Sequence, residues 1–185
     1  MIKILMMLPV IMSISCATVD IYFNKTDFKE KPSTILIGYF ERRLVNYQPY
    51  IIKDLRDALA FNFFKLKYTA RLYEVKENKE AQDANDKNYI LDGEAIKNQM
   101  AVNSSDIFIQ GSVSERVTGD LADAGVSTSV TVMVYNKTGV KIGEARYMIS
   151  ESMADARTLV NVTKTLALKL HHEFTNLSKF ILLPF

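Results

Sequence analysis

The run Ile107-Phe108-Ile109-Gln110-Gly111-Ser112-Val113-Ser114-Glu115-Arg116-Val117 sets Ile107, Ile109, Val113 and Val117 on one side. Gln110, Ser112, Ser114 and Arg116 fall on the other, the period-2 pattern of a strand with one buried face. A second run, residues 126–135, repeats it with Val126, Val130, Val132 and Val134 against Ser127, Ser129 and Thr131. Asn136-Lys137-Thr138-Gly139 then turns the chain, with Gly139 able to take a left-handed conformation. The third run starts in phase as Val140 and Ile142 and resumes as Ala145, Tyr147 and Ile149. A one-residue slip at Gly143-Glu144 has the form of a β-bulge. Residues 106–150 therefore read as a three-stranded antiparallel meander, and the rest of the chain supplies what covers it.

Upstream, Thr34-Ile35-Leu36-Ile37-Gly38-Tyr39-Phe40 is a continuous apolar run, as expected of a central strand covered on both faces, and Glu41-Arg42-Arg43 ends it. Gln48-Pro49 opens a helix with proline in the first turn. Ile51, Ile52, Leu55, Leu59, Phe63 and Leu66 then form a stripe at three- and four-residue spacing, with Lys53, Asp54, Arg56 and Asp57 outside it. Residues 70–75 make a second short strand, so the segment reads as a βαβ unit with parallel strands. Residues 76–88 form a polar loop, and 93–102 a short helix leading into the meander. Downstream, residues 155–175 form a second long helix with Leu159, Val162, Leu166, Leu170 and Phe174 as its buried stripe. Lys164, Lys169, His171 and Glu173 face mostly outward, and residues 180–185 are an apolar tail. The expected fold is α/β: a single domain with a mixed β-sheet, a βαβ unit followed by the antiparallel meander, covered by two long helices.

At 185 residues and 48% apolar content the chain is long enough to bury a core of its own. A formal charge of +2, with Lys and Arg scattered, excludes the electrostatic footprint of a nucleic-acid partner. No internal repeat is present.

Cys16 is the single cysteine, so no internal disulfide can form. Met1-Ile2-Lys3 is a short positive segment, residues 4–12 are apolar, and the small residues Ser13 and Ser15 precede Cys16. The apolar run is too short to span a bilayer as a mature helix. It resembles a bacterial lipoprotein signal peptide, in which cleavage leaves the cysteine as the acylated first residue. Ser13 stands where such signals usually carry Leu. An ordinary secretory signal, or a cytosolic protein with a buried Cys16, are the other readings. The expected organisation is a signal peptide at 1–15, a lipidated N-terminus and short linker at 16–33, and the globular domain at 34–185. Within the linker, Val19-Asp20-Ile21-Tyr22-Phe23 is strand-like. Cleavage removes one lysine, leaving 22 basic and 21 acidic residues, a net of +1. Attraction to anionic lipid is then negligible, and acyl chains such as palmitate, at roughly 0.8 kcal/mol per buried methylene, do the anchoring. Lipoprotein sorting implies an outer-membrane destination for Ala17 after the cysteine.

The order strand, long helix, strand, short helix, meander, long helix carries two local motifs. Ser105-Asp106-Ile107-Phe108-Ile109-Gln110-Gly111-Ser112-Val113 resembles the strand entry of a bacterial envelope superfamily. Val134-Tyr135-Asn136-Lys137-Thr138-Gly139-Val140-Lys141-Ile142 is similar to its hairpin. That superfamily includes the CsgG-like curli-secretion lipoproteins, the lipoprotein activators of penicillin-binding proteins, exopolysaccharide-export lipoproteins and the N-terminal domain of TolB. The resemblance covers residues 35–175 and implies assembly and recognition rather than catalysis. The eight residues 118–125 leave no room for the membrane-spanning hairpins of the secretion channels. A long disordered tether, as in the penicillin-binding-protein activators, is also lacking.

No motif supports an enzyme, a cofactor or a metal. With Cys16 consumed by lipid no thiol nucleophile remains. His171 and His172, as helix neighbours, face different directions and chelate one metal poorly. No glycine-rich phosphate loop follows a strand. Asp83, Asn85 and Glu94 have part of a calcium-loop spacing, but Lys87 and Asn88 occupy positions that need a ligand and a glycine. The resemblance implies that Asp106 hydrogen-bonds backbone. Tyr22, Phe23, Tyr39, Phe40, Tyr47 and Tyr50 are either core or an interaction surface. The expectation is a non-enzymatic outer-membrane lipoprotein, on the periplasmic face, acting as an assembly or export accessory through an envelope protein partner or self-association. No small-molecule substrate is evident. The alternatives are a surface-exposed lipoprotein that binds host or environmental ligands, and a degenerate hydrolase.

Overall fold

The computed structural model describes residues 17–24, 31–44, 50–74, 90–119 and 125–180. Among them the elements are β1 (Thr18–Phe23), β2 (Thr34–Arg43), α1 (Tyr50–Lys65), β3 (Thr69–Leu72), α2 (Gly93–Asn103), β4 (Ile107–Thr118), β5 (Gly125–Asn136), β6 (Lys141–Ile149) and α3 (Ala156–Phe180). The strands form one mixed sheet in the order β1-β6-β5-β4-β2-β3. β4, β5 and β6 are the antiparallel meander, and β2 runs parallel to both β3 and β4. The βαβ unit is therefore parallel, as its connection requires.

β1 is the strand-like stretch of the linker, and it pairs antiparallel with β6 from Thr18↔Met148 to Phe23↔Gly143. The third meander strand is consequently interior, and β1 and β3 are the lateral strands. The bulge sits one residue earlier than the slip in the pattern suggests. Val134 pairs with Gly143 and Tyr135 with Lys141, leaving Ile142 as the extra residue. Ala145, Tyr147 and Ile149 thereby return to the core side. A second bulge interrupts β2, where Ile37 pairs with Ile109 but Phe40 with Gly111. It restores Phe40 to the face already held by Ile35 and Ile37, and a Cβ on Gly111 would lie 2.8 Å from the Phe40 ring and 1.9 Å from the Thr131 carbonyl oxygen.

α1 and α3 cover the same face. Leu55, Leu59 and Phe63 of α1 and Val162, Leu166, Leu170 and Phe174 of α3 share one core with Ile35, Ile109, Val113, Val130 and Val132. Asn62 Nδ2 donates to Thr163 Oγ1 at 3.3 Å where the two helices meet. α2 packs on the opposite face, where Ile96 and Met100 enclose Leu36 and Phe108. Asp92 caps α2 by accepting from the Ala95 amide at 2.8 Å, and Ser104 closes it in the left-handed conformation.

Several side chains depart from the sequence pattern; Val140, expected in phase on the core side, is 51% exposed in the turn before β6. Gln110, expected on the open face, is wholly buried under the segment before α2, accepting from the Leu91 amide and donating to the Leu91 carbonyl, both at 2.9 Å. β4 therefore has two buried faces along its first half. Arg56, expected outside α1, is buried, donating to the Tyr73 carbonyl with its guanidinium 4.2 Å from the centroid of the Tyr39 ring. Its aliphatic stem and planar head fit a rim that a compact ammonium would not. Val117, expected in the core, is 54% exposed because β4 runs on past the cover of the helices.

Candidate functional site

Among the described residues α2 covers only the β2–β4 side of its face, and none of them covers the remainder. Strand register sets its side chains in rows. One row is Thr18, Met148, Ser129, Ser114 and Arg43; the next is Asp20, Arg146, Thr131, Ser112 and Glu41. A third begins Tyr22, Glu144, Met133 and ends on the buried Gln110. The centre is thus small and hydroxylated, while ionised groups stand at both sides. Arg43 pairs with Glu41 at 2.8 Å on one side; Lys141 and Arg146 both reach Glu144 on the other. Such exposed pairs contribute only about 0–1 kcal/mol each, so exchanging them for pairs with another protein costs little. Beside β1 lies a groove of about 640 Å³ lined by Asp20, Tyr22, Asn24, Lys141, Glu144 and Arg146, among others. Tyr22 is 72% exposed above it. The polar phase of β4 and β5 was legible in sequence; the contribution of Asp20 and Tyr22 was not, because it depends on pairing across more than a hundred residues.

Asp106 is a structural latch. Its Oδ2 accepts from the Ser33 amide at 2.8 Å, the Ser33 hydroxyl at 2.8 Å and the Thr34 amide at 2.9 Å. Its Oδ1 meets Lys137 Nζ at 2.7 Å, and its own amide donates to Thr34 Oγ1 at 2.9 Å. Partial burial pushes the carboxyl up, but the Lys137 ammonium and the Ser33 and Thr34 donors outweigh it and hold the group well below the usual carboxylate range. One side chain thus joins the starts of β2 and β4 to the β5–β6 turn. In that turn Gly139 has φ +77°, and a Cβ there would lie 1.9 Å from the Gly93 carbonyl oxygen.

At the other end of β4, Glu115 is buried. Its Oε1 accepts from Ser152 Oγ at 2.7 Å, the Met153 amide at 2.9 Å and Thr128 Oγ1 at 3.4 Å. Glu151 accepts from Thr158 Oγ1 at 2.5 Å, so two carboxylates pin the β6–α3 connection.

The remaining candidate residues are scattered. His171 Nδ1 faces the Tyr68 hydroxyl at 2.9 Å, whereas His172 is exposed beside Asn176 and Glu173. Burial, with Lys31 and His172 nearby, keeps His171 below its ordinary pKa, and burial pushes Tyr68 up to about 12. Among the described residues no group of three His, Cys, Asp or Glu is placed to hold a metal ion. Phe23 and Phe40 are core, Tyr39 stacks edge-on to Tyr73, and Tyr22 and Tyr50 are exposed. Cys16, Tyr47, Asp83 and Asn85 lie outside the described residues; Glu94 is exposed in the first turn of α2.

The fold has a counterpart among solved proteins. The fold is similar to that of PelC. Against the PelC dodecamer from Paraburkholderia phytofirmans the TM-score is 0.54 at 12% identity, over 84% of this chain and 96% of that one. A single-substitution variant of the same PelC dodecamer gives 0.53 at 12% identity, over 84% and 95%. Lipoprotein GNA1162 from Neisseria meningitidis gives 0.46 at 10% identity, over 76% of this chain and 99% of that one. At these identities what is shared with PelC is the fold. The sequence matches no protein-family profile and no curated protein.

Proposed function

We propose that this chain is a lipid-anchored bacterial envelope protein that acts without catalysis, as an assembly or export accessory, by binding an envelope partner or further copies of itself. The observation that carries this reading is the open sheet face, hydroxylated at its centre and charged at both sides, bordered by the lateral strand β1. A lateral strand carries backbone N–H and C=O groups that pair with another chain unless the edge is blunted or covered. Two further features support it. The segment ending at Cys16 resembles a lipoprotein signal, and the fold is similar to that of a protein solved as a dodecamer. Membership of the envelope superfamily of CsgG-like, penicillin-binding-protein-activator and TolB N-terminal domains belongs to the same proposal, as does placement on the periplasmic side of an outer membrane.

The anchor is tested by metabolic labelling with palmitate. Wild-type protein incorporates label and fractionates with membranes, whereas Cys16→Ser takes up none and stays soluble or unprocessed. An unlabelled wild type, with the variant still in membranes, would refute the lipoprotein reading. Protease treatment of intact cells then reports the side: protection means periplasmic residence, and loss means surface display.

A further inference from the structure

We infer that the β4–β5 hairpin end of the sheet rests on the bilayer surface, so that the strands stand roughly along the membrane normal. The inference rests on acylation of Cys16 and on the register of the strands. Cys16 precedes the first residue of β1 by two positions, so its Cα lies within about 7 Å of the Thr18 Cα. Thr18 is level with Met148, Ser129, Ser114 and Arg43 across the sheet. From that row β4 continues for three residues to Val117, paired with Val126. At about 3.3 Å per residue the hairpin overhangs the row by about 10 Å, in the direction from which the anchor arrives. A bilayer surface that holds the acyl chains of Cys16 therefore meets the hairpin end at nearly the same depth.

Exposed apolar groups stand at both ends of the sheet, Val102 and Val140 at the far one, so the strand register selects the end. Val117 is 54% exposed at the hairpin, and Tyr50, which opens α1 just after the end of β2, is also 54% exposed. Tyr side chains favour the headgroup level of a membrane. Charge is not what seats the domain. Arg43 is paired to Glu41, and the sequence 120–124 between β4 and β5 carries Asp120 and Asp123 against Arg116. Proximity imposed by the anchor does it. One consequence is geometric: β1, β3 and the open face all point along the membrane plane, so copies anchored in one leaflet meet side by side.

The test uses the full-length acylated protein, in which lipid occupies the native thiol, reconstituted into phosphatidylethanolamine–phosphatidylglycerol vesicles that contain a doxyl-labelled lipid. An environment-sensitive fluorophore is attached through Val117→Cys or through Val102→Cys. Val102 is 80% exposed near the end of α2, beside the opposite end of the sheet. The expected result is a blue shift and strong doxyl quenching at position 117, with neither at 102. Equal signals at the two positions, or a stronger one at 102, in protein that remains vesicle-bound would overturn the orientation and leave the anchor standing. Failure of the acyl-bearing protein to bind vesicles would overturn the anchor reading, and the orientation with it.

Discussion

At Asp106 a single carboxylate accepts hydrogen bonds from the backbone of a strand more than seventy residues away and an ion pair from the following turn. Asp106→Ala leaves the Ser33 and Thr34 amides without their acceptor and should destabilise the domain by about 1–3 kcal/mol. Because the folded-state pKa is depressed, the charge contributes stability above the unfolded value of about 3.9, and that contribution is lost as pH falls below it. Urea melts from about pH 6 down to about pH 2 should show the wild type losing more stability below about pH 4 than Asp106→Asn does. Parallel curves would mean that the carboxylate is not held by these donors. The resemblance in sequence pointed to a backbone-binding role at this position; its partners depend on long-range pairing and were not legible. Glu115 occupied a core phase of the β4 alternation, but nothing local announced that Ser152 and the Met153 amide would satisfy it. Arg56 shows the converse failure, since a helical wheel assigns charge to solvent even where a rim of Tyr39 and the Tyr73 carbonyl can bury it.

Among the elements, α1, α3 and the meander were readable because each carries its own period, 3.6 or 2, over many residues. The same stripes locate the core, so Leu59→Ala and Leu166→Ala, both at fully buried positions, should each cost about 2–5 kcal/mol. Lys53→Ala, on the exposed side of α1, should change stability by no more than about 0.5 kcal/mol. Denaturant melts with equal, small effects at all three positions would show the core to be elsewhere. The bulge in β2 was hidden because a uniformly apolar run has no phase to slip. The bulge in β6 was visible but displaced by one residue, since Ile142 and Gly143 are both buried across it. β1 reads as strand-like within the linker, but six residues with one polar face do not reveal which strand they join.

At the scale of the molecule, strand order explains why the described helices, covering two sheet faces, leave one region bare among the described residues. α1 and α3 fill one side, the short α2 fills only part of the other, and lateral strands β1 and β3 close the sheet with no further strand beyond them among the described residues. A chain anchored two residues before β1 would present that bare region and both lateral strands to its neighbours in the membrane. Self-association, one arm of the proposed function, is checked by sedimentation of the acyl-free domain from Ala17 onward, over a hundredfold range of concentration. Species heavier than the monomer are expected at the upper end, matched by a cross-linked ladder of the full chain in membranes. A single monomeric species at every concentration, with no ladder, would contradict it.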